Sequence, residues 1–336
     1  MSELNSIRPS AFLPAAGWVR WPGRSQVRLT GADRAKFLHN FCTNDIKKLQ
    51  PGQGCEAFLT NIKGRILGHI FVFAGEAELM IDTVPGEDVK IRDHLDRYLI
   101  TEDVQIEVVS DEFQCVYLLG AKAAQQVYEA FSVDVSQLPQ CGHLVRPESP
   151  APKPPAWIRR LDLTAQPGFE IAMSSANEPS MGVTFVHLNP QSPQPDLVDE
   201  RAFEAFRIDA GFPIYGVDLS DDYLAQEAAR TAKAISFTKG CYLGQEPIAR
   251  IDALGHVNRE LRVVAFHGSP KIAAPAKTFD ATTGAELGVL TSAAATSQSI
   301  AVGMGMLRTS AKPGTAVRVA TELGDVMGEV VAPAGN

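Results

Sequence analysis

The sequence lacks several features that would place it in a specialised class of protein. Its 336 residues contain no run of about 20 apolar residues, the length that a membrane-spanning helix requires. Residues 1–16 lack a basic start followed by an apolar core, so no secretory signal is expected and a cytoplasmic location is predicted. Positive charge is not in excess either, because 31 lysines and arginines face 39 aspartates and glutamates. The net charge of −8 argues against direct binding of nucleic acid.

Cysteine is scarce and widely scattered. No two cysteines have the spacing of a zinc, thioredoxin-like or iron–sulfur site, so no metal site is predicted. Hydrophobic residues make up 45% of the chain, which is enough for cores that need no disulfide, and the length suggests two or three domains. The first four of the five cysteines are predicted to be small buried hydrophobes in a reducing compartment; the five are Cys42, Cys55, Cys115, Cys141 and Cys241.

Hydrophobic periodicity predicts an α+β protein with a β-rich C-terminal part. Residues 55–73 alternate around a tight turn at Lys63-Gly64 and predict a β-hairpin. Asp33 is expected to cap a helix that buries Phe37, Leu38 and Phe41. Further helices are predicted at 89–99, 121–131, 197–209 and 244–251, and strands at 26–29, 79–83, 104–109, 115–119, 157–163 and 169–173. Proline-rich segments at 146–156 and 174–196 predict loops, the second with an apolar run at 183–188, and short strands predict an all-β domain from about 257.

The run Lys239-Gly240-Cys241-Tyr242-Leu243-Gly244-Gln245-Glu246 is the strongest candidate for a functional site. Positive charge at Lys239 or nearby backbone amides would stabilise a Cys241 thiolate. Gly240 and Gly244 permit a tight backbone that leaves the thiol accessible, and Gln245 follows at the start of a predicted helix. Glu246 and Arg250 have the i, i+4 spacing of a pair on one helix face. From residue chemistry alone, a reactive thiol and an inert buried one are equally supported.

This run, with its flanks at 235–238 and 249–250, resembles the signature of YgfZ-type proteins in the glycine-cleavage T-protein (aminomethyltransferase) superfamily. The resemblance implies that the chain binds tetrahydrofolate or a one-carbon-substituted folate. It also implies a role in the assembly or repair of iron–sulfur clusters in client enzymes, including radical enzymes that modify transfer RNA. Cys241 matches the distinctive cysteine of that family, which makes it the candidate functional thiol.

Three further segments are similar to patterns of the same superfamily. Residues 207–213 resemble its Arg-x-Glu-Ala-Gly stretch, which implies that Asp209 grips the pterin ring; a solvated or helix-terminal role is the alternative. Residues 31–46 match an N-terminal helix-and-turn pattern and make Asn44 a ligand candidate. Glu170, in a Gly-Phe-Glu match, faces either the folate pocket or a sheet. Lys63 and Arg65 are expected to meet the glutamate tail of a folate.

One position departs from the superfamily pattern. T-proteins carry a catalytic aspartate shortly after a glycine turn, and the alignment of residues 59–70 places Gly68 there, followed by His69. Without a carboxylate, aminomethyl transfer loses its acid–base and electrostatic group. A tetrahydrofolate-dependent aminomethyl- or methyltransferase is therefore the alternative function rather than the first. A thiol redox or scaffold protein is a third hypothesis, and an RNA-binding module is the weakest.

The resemblance also implies the fold, namely three lobes around a central folate-binding opening with a C-terminal β-barrel. The first lobe is predicted to combine residues 1–50 with about 115–210, interleaved with a second lobe of about 51–114 and 211–255. Residues 256–336 are predicted to form the barrel. The sequence makes no prediction about the oligomeric state.

Overall fold

The computed structural model describes residues 7–20, 24–146, 156–175, 195–266, 270–322 and 324–335. The loop predicted at 146–156 lies outside these ranges except for its two ends. The apolar run predicted at 183–188 also lies outside them. None of the described helices is long and apolar enough to cross a membrane.

A five-stranded antiparallel sheet forms the first layer of the molecule, in the order β3-β4-β5-β2-β6. The hairpin predicted at 55–73 is confirmed, because β3 and β4 pair from Gly54↔Phe73 to Thr60↔Ile66 around a turn at 61–65. The strands are β2 Ser25–Thr30, β3 Gly54–Thr60, β4 Ile66–Ala74, β5 Glu78–Thr83 and β6 Gln105–Val108.

A six-stranded sheet forms the second layer, in the order β11-β1-β7-β10-β9-β8. Its pairings are antiparallel except for β1 with β11, which is parallel. Its strands are β1 Gly17–Val19, β7 Phe113–Leu119, β8 His143–Arg146, β9 Ala156–Arg160, β10 Gly168–Ser174 and β11 Asp196–Leu197.

The two sheets pack face to face, and helices cover their outer faces. Alternation along β4 sends Phe71 and Phe73 to the core between the sheets, where they meet Tyr117 of β7. The same alternation sends Ile70, Val72 and Ala74 to the outer core under the first two helices. A third helix covers the outer face of the second sheet. These helices are α1 Arg34–His39, α2 Asp88–Asp96 and α3 Ala123–Phe131.

The C-terminal part forms a closed six-stranded barrel, in the order β12-β15-β14-β13-β16-β17 with β17 pairing back to β12. Closure leaves no free sheet edge in the barrel. The predicted all-β domain is confirmed: strands predicted at 261–266, 286–291, 301–307 and 316–320 correspond to β12, β14, β15 and β16, whereas β13 and β17 were not predicted. The strands are β12 Arg259–Phe266, β13 Ala276–Asp280, β14 Glu286–Ala295, β15 Ala301–Arg308, β16 Ala316–Thr321 and β17 Gly324–Val331.

Three helices join the sheets to the barrel. Helix α4 (Glu200–Asp209) packs on β14 and β15, α5 (Thr231–Ala234) is a single turn, and α6 (Gln245–Leu254) follows the predicted thiol segment. Buried side chains from β3, β4, α4, α6 and the barrel share one core. Short 3-10 helices lie at Pro9–Phe12, Ile46–Lys48, Ser110–Glu112 and Ala225–Ala228.

Two details bear on the predicted organisation. Asp33 stands at the start of α1 but does not cap it, because its carboxylate accepts the backbone N–H of Asp103 at 3.1 Å instead. Strand β1 belongs to the second sheet and β2 to the first, so residues 1–50 contribute to both sheets. The lobe boundaries at about 50, 115 and 210 stay a prediction.

Candidate functional site

Cys241 is the exposed cysteine of the chain. Cys42 and Cys141 are buried, and Cys55 and Cys115 are half-buried. Burial raises the pKa of each of these four thiols above its ordinary value, which keeps them protonated and inert at neutral pH. The predicted burial is therefore confirmed for Cys42 and Cys141, whereas Cys55 and Cys115 are only half-buried, and the exposed thiol is that of Cys241.

Cys241 lies in the connection between α5 and α6, here called the thiol loop (residues 235–244), and Lys239 anchors this loop. The buried Lys239 ammonium donates to the backbone carbonyls of His39 at 2.6 Å, Cys42 at 2.6 Å and Asn44 at 2.8 Å. An ammonium has three N–H donors, so these bonds use all of them. Burial lowers the pKa of Lys239. The Lys239 ammonium therefore donates to the 39–44 backbone, and stabilisation of a Cys241 thiolate by its charge stays a prediction.

The end of the thiol loop is locked into the β3–β4 turn. The backbone N–H of Leu243 donates to Asn40 O at 2.8 Å, and its carbonyl accepts from Thr60 Oγ1 at 2.7 Å. Gly244, with φ +85°, begins α6, and a Cβ on it would lie 2.3 Å from Asn61 O. A Cβ on Gly64 would in turn meet Pro247 at 3.1 Å. Only glycine allows the turn and the helix start to approach this closely.

Of the other residues of the signature, some pack inside the protein and others lie on its surface. Tyr242 is buried below the Lys239 ammonium, which lies 4.6 Å from the ring centroid, and burial raises its pKa to about 12. Gln245 donates its backbone N–H to Tyr242 O at 3.1 Å. Glu246 and Arg250 are exposed on α6, and these two described side chains form no ion pair with each other, contrary to prediction.

Asn44 hydrogen-bonds to two segments that are distant from each other in the sequence. Its Nδ2 donates to Glu56 O at 2.8 Å and to Lys233 O at 3.1 Å, and its Oδ1 accepts the Asp45 N–H at 2.8 Å. Thr43 ties the same two segments, because its hydroxyl donates to Ala234 O at 2.6 Å. Asn44 therefore joins β3 to α5, and its amide is already occupied by protein groups.

Asp209 is fully buried at the end of α4 and is held by the two ends of the chain. Oδ1 accepts from the Arg8 guanidinium, with Nε at 2.7 Å, and Oδ2 accepts the Ser10 N–H at 3.0 Å. Its backbone carbonyl accepts the Ala334 N–H at 2.7 Å. Both carboxylate oxygens thus have protein donors, and a guanidinium edge occupies the place predicted for a pterin edge.

Glu170 lies between the two sheets and not in an open pocket. Arg159 donates to it at 3.0 Å, Arg24 lies 3.1 Å from it, and Arg159 also contacts Asp82. Burial raises the pKa of Asp82 to about 7. For Glu170, burial alone would raise the pKa, but Arg24 and Arg159 outweigh it and lower it. Glu170 therefore belongs to a buried ion cluster that joins the sheets.

Lys63 and Arg65 lie on the surface of the β3–β4 turn. Lys63 is exposed, and its backbone N–H donates to Asn61 Oδ1 at 2.9 Å. Arg65 donates to Asp222 O at 2.7 Å. The turn that carries both residues packs on α6. The hairpin, the 39–44 segment and the thiol loop therefore come together in the fold. Asp209, at the end of α4, and Glu170, between the two sheets, are not part of this group.

The strand alternation of β4 separates Gly68 from its neighbour His69. A Cβ at Gly68 would point at Ile91 and Leu59 of the outer core, at 3.6–3.8 Å. His69 points to the opposite face, where its Nε2 lies 2.8 Å from Glu56 Oε1. A carboxylate at position 68 would therefore enter an apolar core. On the opposite face of β4, His69 is the polar side chain.

Sequence reasoning missed the buried ion pair beside His69. Arg230 donates to both carboxylate oxygens of Glu56, with Nε at 2.7 Å from Oε1, and its guanidinium lies over the ring of Phe212. Burial would raise the pKa of Glu56, but Arg230 and His69 hold it well below its usual range. The available signal was Glu56 itself, a charge at an alternating position of an otherwise apolar strand.

Arg230 also borders a small internal cavity of about 110 Å³. Lys233 and Arg262 line it from two sides, and Gly211 and Pro333 close it near Asp209. Burial lowers the pKa of Lys233, and the neighbouring Arg230 adds to this effect. The cavity has three cationic side chains and no carboxylate among its lining residues, which suits an anionic group, but typical ligand pockets measure about 300–1,000 Å³.

Known proteins share this fold. The crystal structure of the glycine cleavage system aminomethyltransferase T from Bartonella henselae superposes with a TM-score of 0.82 and covers 96% of this chain and 86% of its own. The two sequences are 20% identical, so this likeness shows the fold alone. It confirms the predicted T-protein-like α+β fold with a C-terminal barrel.

Sequence relatives point to the same superfamily. The tRNA-modifying protein YgfZ of Yersinia pestis is 28% identical over 245 residues, which cover 72% of this chain and 69% of YgfZ. An aminomethyltransferase of Rippkaea orientalis is 26% identical over 255 residues, covering 72% and 67%. A putative chloroplastic transferase of Arabidopsis thaliana is 26% identical over 238 residues, covering 70% of this chain but only 53%, about half, of that relative.

The profile of the GCVT N-terminal domain matches residues 19–239, which is more than half of the chain and ends just before Cys241. The matched part contains the first sheet, the second sheet except most of β1, the 39–44 segment and the Lys239 anchor. The chain therefore belongs to the family defined by the GCVT N-terminal domain, as a YgfZ-type member of it.

Proposed function

We propose that this protein binds tetrahydrofolate or a one-carbon-substituted folate and supports the assembly or repair of iron–sulfur clusters in client enzymes. Radical enzymes that modify transfer RNA are among the proposed clients, in keeping with the tRNA-modifying YgfZ relative. The clients, and not nucleic acid, are the proposed direct partners, and the proposed location is the cytoplasm. Cys241 is the proposed functional thiol.

This proposal rests on the exposure of the Cys241 thiol in a fixed loop. The thiol stands exposed in a loop that is fixed on one side by Lys239 and on the other by Leu243. An accessible thiol on a rigid backbone is suited to reaction with a second protein, because little conformational entropy is lost when the partner docks. The remaining cysteines are protected by burial, so chemistry at sulfur is directed to one position.

The folate part of the proposal requires a rearrangement. The five predicted contacts do not converge on one pocket, and Asp209 is saturated by Arg8 and Ser10. The cavity beside Gly211 and Arg230 is too small for a pterin joined to a benzoyl-glutamate. We therefore place folate binding at this cavity in an opened form, with residues 8–10 withdrawn from Asp209 and the cationic lining facing the glutamate carboxylates.

The alternative, an aminomethyl- or methyltransferase, is less favoured by the geometry of β4. Position 68 faces an apolar core, and the nearest carboxylate on the polar face, Glu56, is tied to Arg230 and His69. A carboxylate paired in this way and holding a low pKa is a poor proton acceptor. This arrangement favours a folate-binding protein that does not transfer aminomethyl groups.

Two measurements on the purified chain test the proposal. Calorimetric titration with tetrahydrofolate under anaerobic conditions is expected to show binding, and incubation with an aminomethyl-lipoyl carrier and tetrahydrofolate is expected to show no transfer. Absence of binding would remove the folate part. Turnover of the carrier would establish the transferase alternative instead.

A further inference from the structure

Gly240, next to the thiol, has no conformational reason to be glycine. Its φ lies outside the left-handed region, and a Cβ built on it would make a single ordinary contact. That contact, at 3.8 Å, is with Nε2 of His39. A longer side chain at position 240 would lie over this nitrogen, so what the glycine preserves is access to the imidazole edge beside Cys241.

His39 is a buried residue whose Nδ1 faces a carboxylate without forming a hydrogen bond to it. It ends α1 and is 5% exposed. Nδ1 lies 3.3 Å from Asp45 Oδ1, and Asp45 is itself fixed by Lys48 at 2.9 Å. Among the described residues, none hydrogen-bonds to Nε2. The ring therefore has a carboxylate behind it and an open nitrogen in front, directed at the backbone of the thiol loop.

The backbone contacts hold Cys241 next to the glycine that faces this nitrogen. Lys239, two residues before it, binds the carbonyl of His39 itself, and Leu243, two residues after it, binds the carbonyl of Asn40. The chain on both sides of the cysteine is thus fastened to the end of α1. A thiol, an imidazole and a carboxylate in this order form the arrangement by which proteins activate a cysteine nucleophile.

We infer that His39 is the general base that accepts the proton of the Cys241 thiol, directly or through one water, and that Asp45 is the positioning residue that orients the imidazole. In this step the S–H bond breaks, the proton passes to Nε2, and the electron pair stays on sulfur as a thiolate. The thiolate then displaces the leaving group of a soft electrophile: the bond to sulfur forms as the bond to the leaving group breaks. The imidazolium passes its proton to the leaving group or to water.

The charges around His39 agree with this role. The groups that face it are Asp45, Lys47, Lys48 and Lys239. Burial lowers the pKa of His39, and Lys239 lowers it further, while Asp45 opposes both. The imidazole is therefore neutral at pH 7 and able to accept a proton, and it becomes protonated only in more acidic solution.

This inference rests on the functional thiol of the proposed function but not on folate or on a client enzyme. Iodoacetamide provides a probe that needs neither: the Cys241 thiolate displaces iodide and forms a carbon–sulfur bond. In the native protein the other four cysteines are buried or half-buried and have raised pKa values, and mass spectrometry follows the alkylation of the peptide that carries Cys241, with Cys241→Ser as the check on selectivity.

The experiment compares the alkylation rate of the native protein with that of His39→Gln between pH 5 and pH 8. At pH 7 the variant is expected to react at least tenfold more slowly, within the range that a positioned base contributes. The wild-type rate should fall more steeply than the variant's as His39 becomes protonated. His256→Gln, at an exposed histidine, is the matched control and should react like the wild type.

Asp45→Asn keeps the test decisive if His39→Gln folds poorly, because it leaves the imidazole in place and removes the carboxylate behind it. It is expected to slow alkylation by a smaller factor while urea unfolding shows an intact fold. Equal alkylation rates and pH profiles in wild type, His39→Gln and Asp45→Asn would overturn the inference and leave His39 a packing residue. Failure of folate binding would leave it untouched.

Discussion

Single side chains near the thiol act mainly by holding backbone in place, and Lys239 is the clearest case. A buried ammonium is costly unless each of its donors is satisfied, and here three carbonyls provide that compensation. Those carbonyls come from a segment about 200 residues earlier in the chain. Through these three hydrogen bonds, the Lys239 ammonium attaches the thiol loop to the 39–44 segment.

Replacing Lys239 by methionine should therefore destabilise the protein markedly. The change leaves three buried carbonyls without a donor, at a cost of about 2–4 kcal/mol in the free energy of unfolding. Urea denaturation followed by circular dichroism measures this cost. Lys63→Met, at an exposed lysine, is the matched control and should shift stability by no more than about 0.5 kcal/mol. Equal, small effects in both variants would show that Lys239 is not an anchor.

For single side chains, the sequence predicted which residues matter better than it predicted which residues they contact. The flanking glycines allowed an exposed Cys241 thiol but left an inert buried one equally supported, and the scattered spacing of the other cysteines predicted a burial that is complete only for Cys42 and Cys141. The partners of Asp209 could not be predicted, because Arg8 lies 201 residues away and no local pattern links the two. The same holds for the Lys239 carbonyls and for the ion pair of Glu56 with Arg230, which is 174 residues away.

Between elements, the start of α6 depends on close contact with the β3–β4 turn. Gly244→Ala would place a methyl group 2.3 Å from Asn61 O in a left-handed conformation. The expected loss is about 2–4 kcal/mol, from backbone strain and overpacking together. Gly240→Ala, four residues earlier, meets only an ordinary contact and should change stability by less than about 1 kcal/mol. Similar unfolding midpoints for the two variants would contradict this account of the turn.

The ion cluster between the two sheets predicts a pH dependence of stability. Asp82 has a pKa of about 7 in the fold, above the ordinary 3.8, because burial disfavours its charge. The folded state thus binds this proton more tightly than the unfolded chain does. Its stabilising contribution is complete below pH 3.8 and is lost as the pH rises to about 7. Glu170, whose pKa is lowered, loses its own contribution only in acid, outside this window.

Urea unfolding of wild type and Asp82→Asn between pH 5 and pH 8 isolates this effect. Relative to the variant, the wild type should lose roughly 1 kcal/mol per pH unit up to about pH 7 and nothing further above it. A difference between the two proteins that is constant over the whole range would show that Asp82 is already ionised at pH 5. Strand patterns predicted the five strands of the first sheet and three of the six strands of the second. They could not predict this cluster, whose members come from strands of different sheets.

For the whole molecule, the fold was more predictable than the folate site. Strand alternation and turn residues indicated the sheets and most of the barrel, because these signals are local. The predicted folate contacts came from a resemblance, and the chain's own ends occupy the most important of them. Arg8 binds Asp209 at one end, and Ala334 binds its backbone at the other.

If folate binds after residues 8–10 withdraw from Asp209, Arg8→Ala should bind tetrahydrofolate more tightly than the wild type. The apparent dissociation constant is the intrinsic one divided by the fraction of open protein, so a tenfold gain corresponds to a roughly tenfold larger open fraction. Calorimetric titration measures both constants. Arg20→Ala, at an exposed arginine near the same end, is the control and should bind like the wild type. Weaker binding in Arg8→Ala would instead make Arg8 part of the folate site.

The central claim is that the protein acts through the Cys241 thiol. The most direct test expresses wild type and Cys241→Ser in a strain that lacks this protein and measures the activity of its iron–sulfur enzymes, with equal amounts of folded protein confirmed for both. We expect the wild type to restore these activities and Cys241→Ser to leave them low. Full restoration by Cys241→Ser would contradict it.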